Sequence, residues 1–426
     1  MEKSKGKILL NNTIMMYLLS IAKLVIPLIS LPYLTRVLSV DCYGSVSFVK
    51  SIMTYMQIIV DFGFLLSGTK DLIYTLKNKE ETSKKIGNTL YAQLMLCVLS
   101  IVIVGICCLC FEILRGYELF TLLSLVTVIL SVFLFEYVFK AYEQMGKIAI
   151  RYVVMKVFAL ILTLIFVKGD SSVLLMPIFD IISSLVAIAL VLVQLKKMGI
   201  GVKLNFKNIK KALICLKDSF VYFISNAATT AFTALNTLII GFMLTTADVA
   251  YWSVAMQLAG AVNALYTPIT NSVFPTMVKE KNLKLIHKIM MIYMPLIFVG
   301  CIMILLLGDW AVTLVFTENY IMSSTLLKYL IPLLILSFPA MLYGWPCLGA
   351  IDKQKATSIS TIVSSLVQVF GLVLLILIKQ FNLLTICVVR CVTELVLCTI
   401  RMTIVYKNKK LFTKNVEQLK QIENVE

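Results

Sequence analysis

Long apolar stretches recur along the whole chain, and they constrain its fold more strongly than any other feature of the sequence. We predict a membrane-spanning helix wherever about 20 mainly apolar residues run together, because that length crosses the hydrocarbon core of a bilayer. Twelve spans result: 11–35, 43–66, 87–111, 119–141, 150–168, 172–195, 218–244, 250–275, 289–308, 324–349, 357–378 and 383–406. The expected fold class is therefore an all-α, polytopic membrane protein.

The composition agrees with this fold and excludes an ordinary soluble protein. Of the 426 residues, 60% are hydrophobic and 14% are charged, and the mean hydropathy is +0.95. Soluble domains contain roughly 25% charged residues. Most of the eleven cysteines lie inside apolar stretches, where we interpret them as small buried side chains rather than metal ligands.

Basic residues are divided unequally between the two sides of the membrane. The segments on the side of the termini carry 28 Lys and Arg, against 4 in the opposite connections, which are Arg36, Arg115, Lys168 and Lys379. Basic residues accumulate in cytoplasmic connections, so we expect both termini in the cytoplasm. The net charge of +17 then reflects orientation in a bilayer, and no nucleic-acid partner is expected.

The longest connection divides the spans into two sets of six. It is rich in lysine, and we interpret it as a cytoplasmic linker near anionic lipid headgroups. The predicted organisation is an N-terminal six-helix bundle (1–195), the linker (196–217), a C-terminal six-helix bundle (218–406) and a cytoplasmic tail (407–426).

Polar residues follow one face of four spans at steps of three and four residues. They include Ser20 and Lys23 on the first span, Lys50, Gln57 and Asp61 on the second, Asn226 and Asn236 on the seventh, and Gln257 and Asn263 on the eighth. Polar side chains in a bilayer normally face a bundle interior or a hydrated cavity. We therefore expect these four spans to line a central cavity between the two bundles. The alternative is that the stripes only hydrogen-bond neighbouring helices.

Ionisable residues deep in the spans are the candidate functional groups. Lys23 lies near the middle of the first span, where it either attracts an anionic substrate in a hydrated cleft or pairs with Asp180 or Glu394. Arg390 and Glu394 are four residues apart on the last span and can reach each other. Together with Asp180, that pair is either structural or couples transport to an ion.

The sequence argues against an enzyme. Gly63 to Lys70 resembles a phosphate-binding loop, but its lysine does not directly follow the second glycine. His287 is the single histidine, which excludes a histidine metal cluster, and the outer connections are too short for catalytic carboxylates. We predict no catalytic residue, metal or cofactor.

Three segments resemble the polysaccharide transport (Wzx-type) flippases of the multidrug/oligosaccharidyl-lipid/polysaccharide exporter superfamily. The first outer turn has Arg36-Val-Leu followed by Tyr43-Gly44, similar to the family's Arg-x-Leu and Tyr-Gly pattern. Asp61-Phe-Gly63-Phe resembles the segment closing the second span, although family members often have arginine at the position of Lys70. The end of the fourth span, from Glu136 to Met145, is the third similar segment.

The resemblance implies twelve helices in two six-helix bundles around a cationic central cavity. It implies an O-antigen or capsule flippase of the bacterial inner membrane, which moves undecaprenyl-diphosphate-linked oligosaccharide from the cytoplasmic to the outer leaflet by alternating access. Lys23 and Lys50 would offer charge to the diphosphate, and Asn226, Asn236, Gln257 and Asn263 would bond sugar hydroxyls. Polymerase and chain-length proteins of the same pathway are the expected partners, besides the lipid bilayer.

Three other functions remain open at this point. An ion-coupled multidrug/cation antiporter of the same superfamily would be disfavoured by lysines in its cavity, unless carboxylates neutralise them. A membrane-embedded polysaccharide polymerase would need acidic residues on a large outer loop. A scaffold in an assembly complex is the third.

Overall fold

A computed structural model of the chain describes the backbone of residues 2–203 and 209–412, with side chains except at 2–11, 13, 225, 228–229 and 231–233. The α-helices in these ranges are α1 (Glu2–Val37), α2 (Val40–Asp61), α3 (Phe64–Ile73), α4 (Lys79–Cys110), α5 (Glu118–Ser131), α6 (Glu136–Ala141), α7 (Met145–Phe166), α8 (Leu175–Met198), α9 (Ile209–Met243), α10 (Thr246–Glu280), α11 (Leu283–Phe316), α12 (Ile321–Tyr329), α13 (Ile331–Leu342), α14 (Gln354–Leu377) and α15 (Leu383–Lys407). The predicted all-α class is confirmed. Residues 204–208 of the predicted linker and 413–426 of the predicted tail lie outside the described residues.

Ten helical segments of the described chain are long and apolar enough to cross a membrane. They coincide with predicted spans one to six and nine to twelve, so a multi-pass membrane protein is confirmed. The seventh and eighth predicted spans fall in α9 and α10, each 35 residues long. In α9 the apolar part among the described residues is the shorter segment Ala234–Met243. The number twelve is therefore not confirmed.

Short polar caps separate consecutive spans. Ser39 precedes α2, and its side chain accepts a hydrogen bond from the Cys42 N–H. Asn78 accepts from two backbone N–H groups at the start of α4, and Thr245 forms a capping box with Asp248 at the start of α10. Such caps satisfy backbone donors that a helix leaves free at its first turn. They explain why connections of only a few residues end one helix and begin the next.

A left-handed backbone break separates α2 from α3. Phe62 has φ 39° and Gly63 has φ 78°, a region that glycine enters at little cost. A Cβ atom on Gly63 would lie 2.5 Å from the Cβ of Tyr222 on α9. The break therefore requires glycine for its conformation and for the close approach of α9.

The chain divides into two compact units, an N-terminal unit (Met1–Thr230) and a C-terminal unit (Ala231–Glu426). The division falls inside the continuous helix α9, and not in the predicted linker 196–217. The first part of α9 packs in the N-terminal unit, where Ala212 is buried with Phe64 and Leu96. In the same contact, the Ser67 and Ser219 hydroxyls lie 2.6 Å apart. The described end of the predicted linker is thus a packed helix.

Apolar side chains form both the interior and much of the surface. In the C-terminal unit, Tyr266 and Phe338 pack edge to face with ring centroids 5.2 Å apart. On the outside, Leu109 is 85% exposed and Leu306 is 77% exposed. Leucines exposed in this number indicate a surface that lipid covers, since soluble proteins keep large apolar patches small.

Candidate functional site

A cavity of about 340 Å³ lies inside the N-terminal unit, among α1 to α8. Its charged lining residues are Lys23, Asp61, Glu136, Arg151 and Lys156. Charges inside a membrane-embedded bundle are expensive, and they usually mark a functional path. The cavity is therefore the candidate functional site.

Lys23 lines this cavity, and the group nearest its charge in the described structure is an aromatic ring. Its ammonium lies 5.4 Å from the centre of the Tyr152 ring, and no carboxylate of the described residues lies within 4.0 Å of it. The two acids that the sequence offered as partners are engaged elsewhere. Asp180 accepts from Lys156 Nζ at 2.8 Å, and Glu394 pairs with Arg390. The Lys23 charge is thus held beside an aromatic ring, where a cation–π contact favours it.

The polar stripe of the second span also reaches the cavity. Gln57 Nε2 donates to Asp61 Oδ1 at 2.9 Å and to Ser131 Oγ at 3.0 Å. These bonds fix the Asp61 carboxylate at the cavity wall. A further residue of this stripe, Lys50, is exposed and lies within electrostatic range of Asp180 and Lys156.

Arg151 is a lining residue that sequence reasoning missed. It is 6% exposed, on the second turn of α7, and its Nη2 lies 4.0 Å from Glu136 Oε1. Its guanidinium carbon lies 5.3 Å from the centre of the Phe139 ring. We counted this arginine among the basic residues of a cytoplasmic connection, although it lies at the start of the predicted span 150–168. The helix α7 begins earlier, at Met145, and carries Arg151 into the bundle. Lys156 could have been found by the signal that singles out Lys23, a lysine inside an apolar span.

Charges of both signs share this site. The cluster comprises four cations and three carboxylates: Lys23, Lys50, Arg151, Lys156, Asp61, Glu136 and Asp180. The resemblance implies a cationic cavity between the two bundles, but the cavity inside the N-terminal unit is mixed in charge. The argument that lysines alone would repel a cationic drug is weaker for such a site.

The polar residues predicted for the C-terminal unit do not gather around that cavity. Asn236 is 2% exposed, and its Oδ1 accepts from Gln368 Nε2 at 2.8 Å. Asn263 is half-buried, and its Oδ1 accepts from Ser337 Oγ at 2.6 Å. Gln257 is half-buried on α10. Asn226, on the part of α9 that belongs to the N-terminal unit, is exposed.

The deep charges of the C-terminal unit bind one another or the backbone. Arg390 Nη1 donates to Glu394 Oε2 at 3.1 Å, and both side chains are 7% exposed. Asp180, which the sequence analysis groups with this pair, lies in the N-terminal unit and binds Lys156 instead.

Arg401 is a second buried arginine that the sequence analysis does not single out. It donates to the Ala340 carbonyl at 2.8 Å and to Ser360 Oγ and Thr361 Oγ1 at 3.1 Å each. The carbonyl lies just before a π-helical turn (Tyr343–Leu348) in which Gly344 has a non-helical ψ of −110°. Arg401 thus stabilises a break in the predicted tenth span. No group of three or more His, Cys, Asp or Glu side chains within the described ranges is arranged to hold a metal ion.

Comparison with known proteins gives both a family and a fold. The family described as "Polysaccharide biosynthesis protein" matches residues 9–281. A protein of Shigella dysenteriae is 25% identical over 82% of this chain and 88% of its own length. One of Escherichia coli (strain K12) is 24% identical over 59% of this chain and 60% of its own length. Both are named "Putative O-antigen transporter".

Solved structures of transporters share the fold. The lipid II flippase MurJ in an inward closed conformation matches 93% of this chain and 89% of its own, with a TM-score of 0.70 and 15% identity. An inward-facing multidrug resistance MATE family transporter of the MOP superfamily matches 92% of this chain and 99% of its own, with a TM-score of 0.62 and 15% identity. The chain therefore has the fold of these membrane transporters.

Proposed function

The chain belongs to the family of polysaccharide biosynthesis proteins, and from this membership we infer that it turns undecaprenyl-diphosphate-linked oligosaccharide from the cytoplasmic to the outer leaflet. The family, the relatives named as transporters and the fold indicate a membrane transporter in polysaccharide biosynthesis, and not an enzyme. We propose that its cargo is a lipid-linked sugar. O-antigen or capsule assembly would use the exported unit.

One observation carries the proposal: Lys23 lines a cavity in the N-terminal unit, and its ammonium lies over the Tyr152 ring and forms no ion pair within 4.0 Å with a carboxylate of the described residues. An ammonium held over a tyrosine ring attracts a diphosphate as a compact point charge, which suits a site that must release its ligand. Lys50 adds a second exposed cation to the same cluster. We propose that both lysines contact the diphosphate.

The proposed sugar contacts are chosen by how exposed each polar side chain is. Asn226, Gln257 and Asn263 are exposed or half-buried, so they are the proposed hydrogen-bonding partners of sugar hydroxyls. Asn236 is too buried for this role, and we propose that it holds its helix to α14 through Gln368. Movement of the two units by alternating access would then expose the site to each side in turn.

The buried Arg390–Glu394 pair has the proposed role of a structural ion pair, and Asp180 that of a positioning group for Lys156. The proposed location is the bacterial inner membrane with both termini in the cytoplasm. Polymerase and chain-length proteins of the same pathway are the proposed partners.

A cation antiporter is the second candidate, because Asp61, Glu136 and Asp180 bring negative charge to the cluster. Reconstitution separates the two functions. Proteoliposomes would carry either a fluorescent undecaprenyl-diphosphate oligosaccharide or a fluorescent lipophilic cation, and a membrane-impermeant quencher would report which leaflet holds the lipid. We expect protein-dependent movement of the lipid. Transport of the cation alone, driven by a proton or sodium gradient, would overturn the flippase proposal.

A further inference from the structure

Another pocket of the N-terminal unit lies where α3, α4 and the start of α9 meet, and the proposed function does not use it. Its volume is about 260 Å³. All three helices contribute polar side chains to its lining: Asp71, Lys85, Asn88, Thr89, Lys211 and Asp218. Both aspartates and Lys211 are exposed, and Lys85 is half-buried. The pocket therefore presents two charges of each sign at the surface of the protein.

These charges line one pocket without neutralising one another. None of the four side chains forms an ion pair within 4.0 Å in the described part of the chain, whereas Glu80 on the same surface pairs with Lys84 at 3.1 Å and with Lys203 at 3.3 Å. Lys85 Nζ instead donates to the Asp71 carbonyl oxygen at 2.9 Å, which fixes its ammonium at the pocket wall. Opposite charges that share a pocket but stay apart leave room for a ligand that carries both.

The pocket lies at the depth of lipid headgroups. Lys85 comes just before the apolar stretch 87–111 of α4, and Asp71 lies in the last turn of α3. Large apolar side chains beside these charges are exposed, with Ile73 at 53% and Ile214 at 56%, and Ile214 lines the pocket itself. Charged groups next to an exposed apolar surface are typical of the boundary between water and hydrocarbon. A phospholipid can therefore place its headgroup in the pocket and its acyl chains along the apolar surface.

We propose that this pocket binds the headgroup of a phospholipid that carries a primary ammonium as well as a phosphate, the phosphatidylethanolamine class. Lys85 and Lys211 donate to the phosphate, and Asp71 and Asp218 accept from the ammonium. The volume is just below the ~300 Å³ at which small-molecule pockets begin, so the pocket admits a headgroup and not the acyl chains. This site is separate from the cavity of Lys23, and the proposal does not depend on the cargo.

The two aspartates distinguish this lipid from other common phospholipids. Phosphatidylglycerol would satisfy the lysines, but it would bring a negative charge close to two carboxylates with no positive charge to offset them. Phosphatidylcholine carries a positive charge, but its quaternary ammonium has no N–H to donate. Phosphatidylethanolamine matches both signs of charge and supplies the donors that the carboxylates accept.

Native mass spectrometry of the full-length protein tests the site with three lipids that have identical acyl chains. They are dioleoyl phosphatidylethanolamine, phosphatidylcholine and phosphatidylglycerol. The protein is first delipidated in detergent, and the bound fraction is then measured against lipid concentration. We expect phosphatidylethanolamine to bind most tightly. Equal affinity for phosphatidylethanolamine and phosphatidylcholine would overturn the proposal, because the carboxylates would then have no part in recognition.

Two variants separate the contributions of the two charges. Asp218→Asn keeps the shape of the side chain and removes its charge. Phosphatidylethanolamine should then bind about fivefold more weakly, the effect of losing one exposed charged hydrogen bond, and phosphatidylglycerol more tightly. Lys211→Gln should weaken all three lipids, because each carries a phosphate. Both side chains are exposed, so folding should be unaffected.

The matched controls are Lys217→Gln on α9 and Glu81→Gln on α4. Both residues are exposed and lie outside the lining of the pocket, so all three affinities should be unchanged. The proposal is wrong if Asp218→Asn leaves the preference for phosphatidylethanolamine over phosphatidylcholine intact.

Soluble phosphoethanolamine distinguishes a lipid site from a site for a free metabolite. It carries both charges of the headgroup without acyl chains, so it should bind far more weakly than the lipid, which also contacts the exposed apolar surface. If it binds as tightly as the lipid, the lipid proposal is wrong. None of these results bears on the movement of lipid-linked sugar in proteoliposomes, so the flippase proposal is judged separately.

Discussion

Two buried arginines, one in each compact unit, are held in different ways. In the C-terminal unit, Arg401 donates to a backbone carbonyl and to two hydroxyls, and it has a defined structural task at a helix break. In the N-terminal unit, Arg151 is equally buried, yet its two terminal nitrogens make no hydrogen bond to the described residues. Arg151 is held instead by a 4.0 Å ion pair with Glu136 and by the face of the Phe139 ring. Burial alone therefore does not tell how an arginine is stabilised.

Lys23→Ala gives the largest expected effect, because it removes a cation of the N-terminal cavity that lies over the Tyr152 ring and forms no ion pair within 4.0 Å among the described residues. We expect surface polysaccharide to be lost while the amount of protein in the membrane stays normal. Lys23→Arg should retain part of the activity, since it keeps the charge and changes its geometry. Quantitative immunoblots of membranes and of surface polysaccharide measure both quantities.

The matched control for this prediction is Lys203→Ala, which removes an exposed lysine that pairs with Glu80 on the surface. Exposed pairs of this kind contribute little, so export should be unchanged. Normal export in Lys23→Ala would contradict the proposed role of the cavity.

Glu394→Ala should act on stability rather than on transport. It leaves Arg390 buried without its partner, which costs about 3–5 kcal/mol when one member of a buried ion pair is removed. The expected result is a strong loss of folded protein, measured by size-exclusion chromatography after heating in detergent. Exchanging the two residues, Arg390→Glu with Glu394→Arg, should restore the folded fraction and export together. If the exchanged protein folds but does not export, the pair has a role in coupling. Both units would then contain charges that serve transport.

The smallest effects are expected from Asn236→Ala and Gln257→Ala in the C-terminal unit. The first should lower stability slightly, and the second should reduce export. Losing the bond between Asn236 and Gln368 should cost about 0.6 kcal/mol, the average for such bonds in membrane proteins, and export should continue. Gln257→Ala should reduce export without changing stability, as a substrate contact would. Equal export in both variants would remove Gln257 from the proposed sugar contacts.

Much of the fold was predictable because lipid imposes one simple rule on the sequence. Spans must be long, apolar and helical, so ten of them can be located from composition alone. The boundary between the two units was not predictable in this way. A charged connection at 196–217 resembles a linker in composition, whereas Ala212 and Ser219 pack into the N-terminal unit through small side chains that carry little signal.

The site was predictable only in part. The spacing of polar residues along a span indicates which helix face they share, but it does not indicate what each side chain binds. Lys23 stands out as a charge in the middle of an apolar span. Asn236 has the same spacing signature as Gln257, yet it bonds a neighbouring helix. Arg151 escaped notice because it is the second residue of the predicted span 150–168, where a basic side chain normally lies at the membrane surface. The helix α7 begins five residues before that span, at Met145, and Arg151 is buried.

The close approach at Gly63 has a practical consequence for anyone screening variants of this protein. Any residue with a side chain would collide with Tyr222 and would also be forced into a left-handed conformation, two residues from the cavity-lining Asp61. Substitutions there will score as inactive in a selection for exported polysaccharide, although no ligand is touched. A screen for activity would thus mark Gly63 together with the cavity-lining Asp61. Only a parallel measurement of the amount of folded protein would separate a folding defect at Gly63 from a loss of function at Asp61.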